Sequence, residues 1–326
     1  MRLHANKDLF KDAIAYTAQQ MKLPEIYIEK DYWVTLALHR IFSSSISNRV
    51  VFKGGTALSK CYNLIQRFSE DIDLVLLKDG SESGNQLKSI LKKVAGAIAY
   101  ELPEINMPQV TNKKGMIRKT AHSFAHESEG DFGQVRDAII VEATWLGSFE
   151  PYSVKSVSSY VFQMMKETGQ VEIANKYDLF PFDVLVLDPK RTLCEKIMSL
   201  VRFSHTDTPI KDLRNKIRHT YDIHMLLNDE SLNEFFYSKA FDELLLKVAQ
   251  VDVYSFKNNN DWLAYHPTQA LIFQNTENTW KQLSETYNGT FKELVFGILP
   301  PESIILKRMI EVSKRLGKVE WTIVPI

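Results

Sequence analysis

Long apolar runs are missing from this chain of 326 residues, and none approaches the roughly 20 residues that would span a bilayer. The N-terminal stretch Met1 to Asp8 lacks the apolar region of a secretory signal, so the expected setting is the cytoplasm. Cysteine is scarce. Cys61 and Cys194 both fall in apolar helical patterns and read as small buried residues rather than as a disulfide, which fits a reducing compartment. An excess of one charge is absent too, since 40 basic residues meet 40 acidic ones. That balance argues against a dedicated nucleic-acid coat, which would be basic overall. Two local basic groups remain: Lys113, Lys114, Arg118 and Lys119, then Lys211, Arg214, Lys216 and Arg218. Each reads either as a phosphate contact or as an ordinary solvated face. No internal repeat or low-complexity segment occurs.

The length suits two domains of ordinary size. Helical spacing of apolar residues predicts helices over Asp8 to Met21 and Ile26 to Ile41. Arg49 to Phe52 reads as a strand running into Gly54-Gly55, with Thr56 able to cap a helix to about Gln66. Asp71 to Leu77 reads as the next strand and Gln86 to Glu101 as a helix. A meander follows over Pro108 to Asn112, Met116 to Phe124 and Val135 to Leu146, with a polar turn at Ser128-Glu129-Gly130-Asp131. Phe182 to Asp188 is a last strand, closed by Pro189. Beyond it the pattern is helical: Thr192 to Arg202, Lys211 to Leu227, Leu232 to Val248, and stretches around Trp280 and Ile305. The expected class is α+β, with domains 1-188 and 189-326, the second all-helical.

What the chain does have is a glycine pair followed closely by two acids. Phe52-Lys53-Gly54-Gly55-Thr56-Ala57-Leu58-Ser59-Lys60 precedes Arg67-Phe68-Ser69-Glu70-Asp71-Ile72-Asp73-Leu74. Residues two apart on a strand share a face, so Asp71 and Asp73 are expected side by side. Two acids that close repel unless a cation lies between them, and hard oxygen ligands suit Mg²⁺. Backbone N–H groups of a glycine turn suit a phosphate. The glycine before the lysine of a Walker loop is missing, which excludes a P-loop NTPase. Thr56, Lys60 and Ser69 flank the pair as candidate nucleotide contacts. Metal-assisted transfer from a triphosphate calls for a third carboxylate. Glu142 is a lone acid in the apolar run Ala138 to Trp145, read either as that third ligand or as an edge glutamate facing water.

These blocks resemble the AbiEii/AbiGii-type nucleotidyltransferase toxins, a branch of the DNA polymerase β-like nucleotidyltransferases. Glu29-Lys30-Asp31-Tyr32-Trp33-Val34, the glycine turn and the acid strand are similar to the family's motifs in order, as are Glu195-Lys196 and Lys216-Ile217-Arg218-His219-Thr220-Tyr221-Asp222. The resemblance implies a nucleotidyltransferase-like mixed sheet with flanking helices. It implies roles for Ser69 and Asp71 in the nucleotide site, Asp73 as partner metal ligand, Lys196 on the phosphates and Asp222 as an essential acid. Mg²⁺, with two ions, an NTP substrate, a tRNA 3′-end acceptor and a cognate antitoxin are implied with it. One departure stands out: His219 occupies a position where the family often has an acid. It reads as a phosphate or base contact, or as a surface residue.

Read without the family, Lys196 suits either a triphosphate or a solvated face. Asp222 pairs equally well with Arg218, four residues away on one helix. Glu29, Lys30 and Asp31 read as salt-bridging groups, Tyr32 and Trp33 as core. His122 and His126 sit in a turn-rich stretch without the helix that paired metal ligands need. The function expected is Mg²⁺-dependent transfer of an NMP to an acceptor hydroxyl. A protein or small-molecule acceptor, and a non-catalytic nucleotide-binding module, are the alternatives.

Overall fold

The computed structural model describes residues 1–128 and 136–325. The polar turn expected at 128–131 therefore lies, beyond Ser128, outside the described residues, as does the expected strand start at Val135. The chain divides into two compact units. The first comprises Met1–Tyr62 with Phe68–Leu187, and the second Asn63–Arg67 with Asp188–Ile326.

In the first unit, α1 (Lys7–Met21) and α2 (Glu25–Phe42) precede β1 (Val50–Lys53), α3 (Gly54–Lys60), β2 (Ile72–Leu76) and α4 (Gly84–Ile98). Then come β3 (Glu104–Ile105), β4 (Ile117–His122), β5 (Ile139–Thr144), β6 (Tyr152–Val157), α5 (Tyr160–Glu167), α6 (Val171–Lys176) and β7 (Phe182–Leu187). The strands form one mixed sheet in the order β3-β4-β5-β2-β1-β7-β6. Strand β2 runs antiparallel to β1 and parallel to β5, while β1 and β7 are parallel.

Alternation sorts the two faces. Val50 and Phe52, Ile72, Leu74 and Leu76, and Ile139, Val141 and Ala143 all point into one large core with α1, α2 and α4. The intervening residues Lys53, Asp73 and Glu142 therefore share the other face. Helix α2 is buried almost all round, including three successive charged residues. Each is matched. Glu29 accepts from the backbone N–H groups of Glu127 and Ser128 at 2.8 and 3.0 Å. Lys30 Nζ lies 3.1 Å from Glu70 Oε2 and donates to the Ala138 carbonyl at 2.6 Å and to that of Arg136. Asp31 pairs with Lys60 and accepts from Tyr160 N–H at 2.8 Å.

The second unit is helical: α7 (Pro189–Phe203), α8 (Pro209–Asn215), α9 (Ile217–Leu226), α10 (Glu230–Tyr237), α11 (Lys239–Ser255), α12 (Leu271–Gln274), α13 (Thr276–Thr286) and α14 (Glu302–Leu316). Asp188 caps α7 by accepting from Lys190 N–H at 2.8 Å, and Pro189 fits the first turn, where no N–H is needed.

Several expectations are corrected. Thr56 does not cap its helix, which starts at Gly54 and stops at Lys60. The chain then contributes Asn63–Arg67 to the second unit. There the Gln66 carbonyl accepts from Phe296 and Gly297 N–H, and Arg67 bridges Val295. Pairing with a segment so distant along the chain leaves no local signal. Pro108 to Asn112 forms a turn, with Val110 N–H on the Met107 carbonyl, and only Asn112 pairs with β4. Lys211 to Leu227 breaks at Lys216, and Leu232 to Val248 breaks at Ser238. Strand β6 was not expected: it is an exposed edge rich in serine and lysine, where no apolar alternation is required.

Lys30→Met should remove roughly 3–5 kcal/mol of stability in urea unfolding, because it strands the buried Glu70 carboxylate. Lys30→Met with Glu70→Gln should recover part of the loss. No difference between the single and double variants would mean that Glu70 is not the group being neutralised.

Candidate active site

The register of four neighbouring strands builds one charged row across one face of the sheet. Lys53 on β1 stands opposite Asp73 on β2, Asp73 opposite Glu142 on β5, and Glu142 opposite Lys119 on β4. Asp71 lies two residues before Asp73. The acid anticipated on a neighbouring strand is thus directly beside the acid pair.

Burial first, then the charges of Asp71 and Glu142, push the Asp73 carboxyl up to about 7. Lys53 and Lys119 act in the opposite direction. The other two carboxylates are balanced by side-chain cations. Arg136 Nη1 donates to Asp71 Oδ1 at 2.9 Å, and Lys119 Nζ to Glu142 Oε2 at 3.0 Å. Among the described residues, no three His, Cys, Asp or Glu side chains are already gathered as a metal centre would hold them. The donor chemistry nonetheless fits a hard divalent cation: carboxylate oxygens of Asp71, Asp73 and Glu142, whose mutual repulsion adds to burial in raising Asp73.

Gly54 brings the backbone against this row. Its φ of +81° is a left-handed conformation, and a Cβ there would meet the Asp73 carboxylate, with Cγ only 3.2 Å away. The turn carries no side-chain cap at the start of α3. Thr56 is buried. Its Oγ1 lies 2.6 Å from the Asp71 carbonyl oxygen and 3.0 Å from Ser69 Oγ. One hydroxyl carries one proton, so Thr56 donates to the carbonyl and accepts from Ser69. It clips the glycine turn to the acid strand, and its hydroxyl is spent in doing so. Lys60, expected near the nucleotide, is buried and committed to Asp31, with Tyr160 beneath its ammonium.

Lys196 and Asp222 belong to the second unit and meet there. Asp222 receives Arg67 Nε at 2.7 Å and Nη2 at 2.8 Å, a bidentate pair, and Lys196 Nζ at 2.7 Å. Burial works to raise the Asp222 carboxyl, but Arg67 and Lys196 outweigh it and hold it well below the usual carboxylate range. Both of these hydrogen-bonding partners come from outside α9, whereas the i,i+4 reading had offered Arg218 on the same helix. Burial, then the Lys196 charge, pushes the half-buried His219 imidazole well below its ordinary range, so it stands neutral at pH 7. His122 is a structural residue, with its ring nitrogens 2.8 Å from the Leu102 carbonyl and 2.9 Å from Thr120 Oγ1.

Sequence reasoning missed Arg136, Arg67, Lys53 and Lys119 as partners of these acids. Lys53 and Arg67 lie inside the motifs already singled out, so their positions were a usable signal. Arg136 lay at the start of the strand expected over Val135 to Leu146 and gave none.

A carboxyl raised on folding weakens the folded state as it ionises. The penalty is absent below the unfolded value of about 3.9 and complete above the folded one. In chelator at pH 8, Asp73→Asn should therefore raise the thermal midpoint by roughly 2–4 °C, with a smaller gain at pH 5. An equal gain at both pH values would contradict the repulsion. Asp222→Asn should instead destabilise by roughly 3–5 kcal/mol, because two buried cations lose their counter-charge. A neutral result in denaturant unfolding would contradict that.

Comparison with known proteins places the chain in a family. A family model described as nucleotidyl transferase AbiEii toxin, type IV toxin–antitoxin system, matches residues 36–303. The block Glu29 to Val34 lies outside that match. No curated protein matches the chain. Among solved structures, it shares the fold of MenT4, a nucleotidyltransferase toxin from Mycobacterium tuberculosis, with a TM-score of 0.53, 16% identity and 94% of each chain covered. Matched over most of its length, the chain belongs to the AbiEii family of nucleotidyltransferase toxins of type IV toxin–antitoxin systems.

Proposed function

We propose that the protein transfers an NMP from an NTP to the hydroxyl of an RNA 3′ end, with tRNA as the acceptor, in a Mg²⁺-dependent reaction. The observation that carries this reading is the register Asp73↔Glu142, which sets a third carboxylate beside the Asp71–Asp73 pair. Asp71, Asp73 and Glu142 would hold two divalent ions. Bound there, such ions supply charge neutralisation to the triphosphate and Lewis acidity to the acceptor oxygen.

The chain's own residues have separate tasks. Gly54, lacking a side chain, lets the turn lie against Asp73, and Gly55 continues it with a backbone N–H open to a phosphate. Thr56 keeps Ser69 and the Asp71 backbone in place, and Ser69 turns its single proton from Thr56 to the nucleotide when the phosphate is bound. Lys196 keeps the phosphate-binding role that the family resemblance implies, its ammonium resting on Asp222, whose carboxylate Arg67 also satisfies. At the α-phosphorus the bond to the acceptor oxygen forms as the bond to the β-phosphate oxygen breaks, and pyrophosphate leaves.

One observation favours a second acceptor class. The first basic group, Lys113, Lys114, Arg118 and Lys119, is largely neutralised: Lys113 and Arg118 pair with Glu104, and Lys119 pairs with Glu142. Together with the zero net charge, this suits a protein or small-molecule acceptor. In either case the toxin would be countered by a cognate antitoxin. No helix of the described residues is long and apolar enough to cross a membrane. A cytoplasmic site of action is part of the proposal.

With α-labelled NTPs, Mg²⁺ and total tRNA, label should enter RNA. Asp71→Ala or chelator should lower incorporation by at least about 100-fold, as expected when a group acting in the transition state is lost. Gly54→Ala should lower it comparably while the protein remains folded. Absence of incorporation with every NTP, or incorporation indifferent to Asp71→Ala, would refute the mechanism. Label on protein would instead establish the second acceptor class.

A further inference from the structure

The second unit holds a cavity of about 680 Å³ that the proposed reaction does not use. Sites for small molecules usually span roughly 300–1,000 Å³. One face of α14 supplies a wall, with Lys307, Glu311 and Lys314 at helical spacing and Lys318 just beyond its end. His224 on α9, Asn228 after it and Tyr237 at the end of α10 supply others.

The charges in this lining are unequally satisfied. Glu311 accepts from Arg308 Nη1 at 2.7 Å and from the Tyr237 hydroxyl. Arg315 is held by Asp242 and by the carbonyls of Phe236 and Ser238. Lys307, Lys314 and Lys318 are exposed and have no ion-pair partner among the described residues. The lining acid is thus already spent, and three ammonium groups remain. Cations in the last turn of a helix complement its dipole, which accounts for Lys314. It does not account for Lys307, two turns earlier.

Polar and aromatic groups complete the wall. Arg308 Nη2 donates to Asn228 Oδ1 at 3.1 Å, which orients the amide so that its Nδ2 donates to His224 Nε2 at 3.1 Å. His224 therefore carries its proton on Nδ1. That nitrogen has no hydrogen-bond partner among the described residues, and the residue is only 7% exposed. Tyr237, in the same lining, is 51% exposed, and its ring meets Phe236 edge-on at 5.1 Å. Ammonium groups in one lining with a half-exposed aromatic side chain suit a ligand that is anionic at one end and planar at the other.

We propose that this cavity binds a nucleotide, with its phosphate on Lys307, Lys314 and Lys318 and its base against Tyr237. The same chemistry is offered by a free nucleotide and by one nucleotide of an RNA strand. The site lies within the second unit and does not depend on the carboxylate row.

Lysine acetylation read by mass spectrometry tests this, using ATP in EDTA as one probe and a short single-stranded RNA as the other. At least one probe should slow acetylation of Lys307 and Lys314, with Lys92 and Lys93 on α4 unaffected. Protection by ATP identifies a free-nucleotide site, and protection by RNA alone identifies a strand site. The double variant Lys307→Glu/Lys314→Glu, folded by circular dichroism, should bind the protecting probe at least about tenfold more weakly. Tyr237→Ala should weaken it as well. Asp71→Ala should retain full protection, so failure of the transfer reaction would leave this site standing. Protection by neither probe, equal protection by inorganic phosphate, or unchanged binding by the double variant would overturn the proposal.

Discussion

Like-charge repulsion among Asp71, Asp73 and Glu142 is the constraint around which the first unit is arranged. Strand pairing forces Asp73 and Glu142 into direct opposition, and the two-residue spacing sets Asp71 on the same side. A fold gains nothing from such a row by itself. Arg136 and Lys119 balance the outer two acids, and Asp73 in the middle is left with a strongly raised proton affinity. A site that is electrostatically unfavourable when empty of cations is suited to hold them, which is how stability and activity come to oppose each other at such positions.

Elsewhere the buried charges do the opposite work. Lys30 with Glu70, Asp31 with Lys60, and Arg67 with Lys196 on Asp222 are each matched at close range. Replacing any of these pairs with apolar residues need not weaken the protein, but removing one partner strands a charge in a poor solvent. Their value lies in placement. Lys30 ties α2 to Glu70, the neighbour of Asp71, and to the carbonyls of Arg136 and Ala138 leading into β5. Arg67 ties into the second unit the segment that, two residues later, becomes Ser69.

The acid pair, the glycine turn and Glu142 were legible because their signals are local: alternation along a strand, a glycine where φ turns positive, an acid alone in an apolar run. Thr56 was legible as important but not for its actual contacts, since a threonine after a glycine turn looks like a cap whichever way its hydroxyl turns. Lys60 carried the right charge for a phosphate, and only the approach of Asp31 from α2 shows that its charge is already matched. Asp222 offered an easy partner four residues away on its own helix, yet its hydrogen bonds come from Arg67 and Lys196, far apart along the chain. The departure of Asn63–Arg67 from the first unit was illegible for the same reason.

The sequence by itself determined the chemistry on offer: carboxylates at strand spacing, a turn that only glycine can make, and a glycine–lysine pattern that excludes a P-loop enzyme. Tertiary structure alone decided which charges face one another. Strand order and register set Glu142 beside Asp73, and helix packing assigned Lys60 to Asp31 and Lys196 to Asp222. The physical reason is range. Backbone conformation is dictated over a few residues, whereas the energy of a charge depends on whatever the whole fold brings within a few ångströms of it.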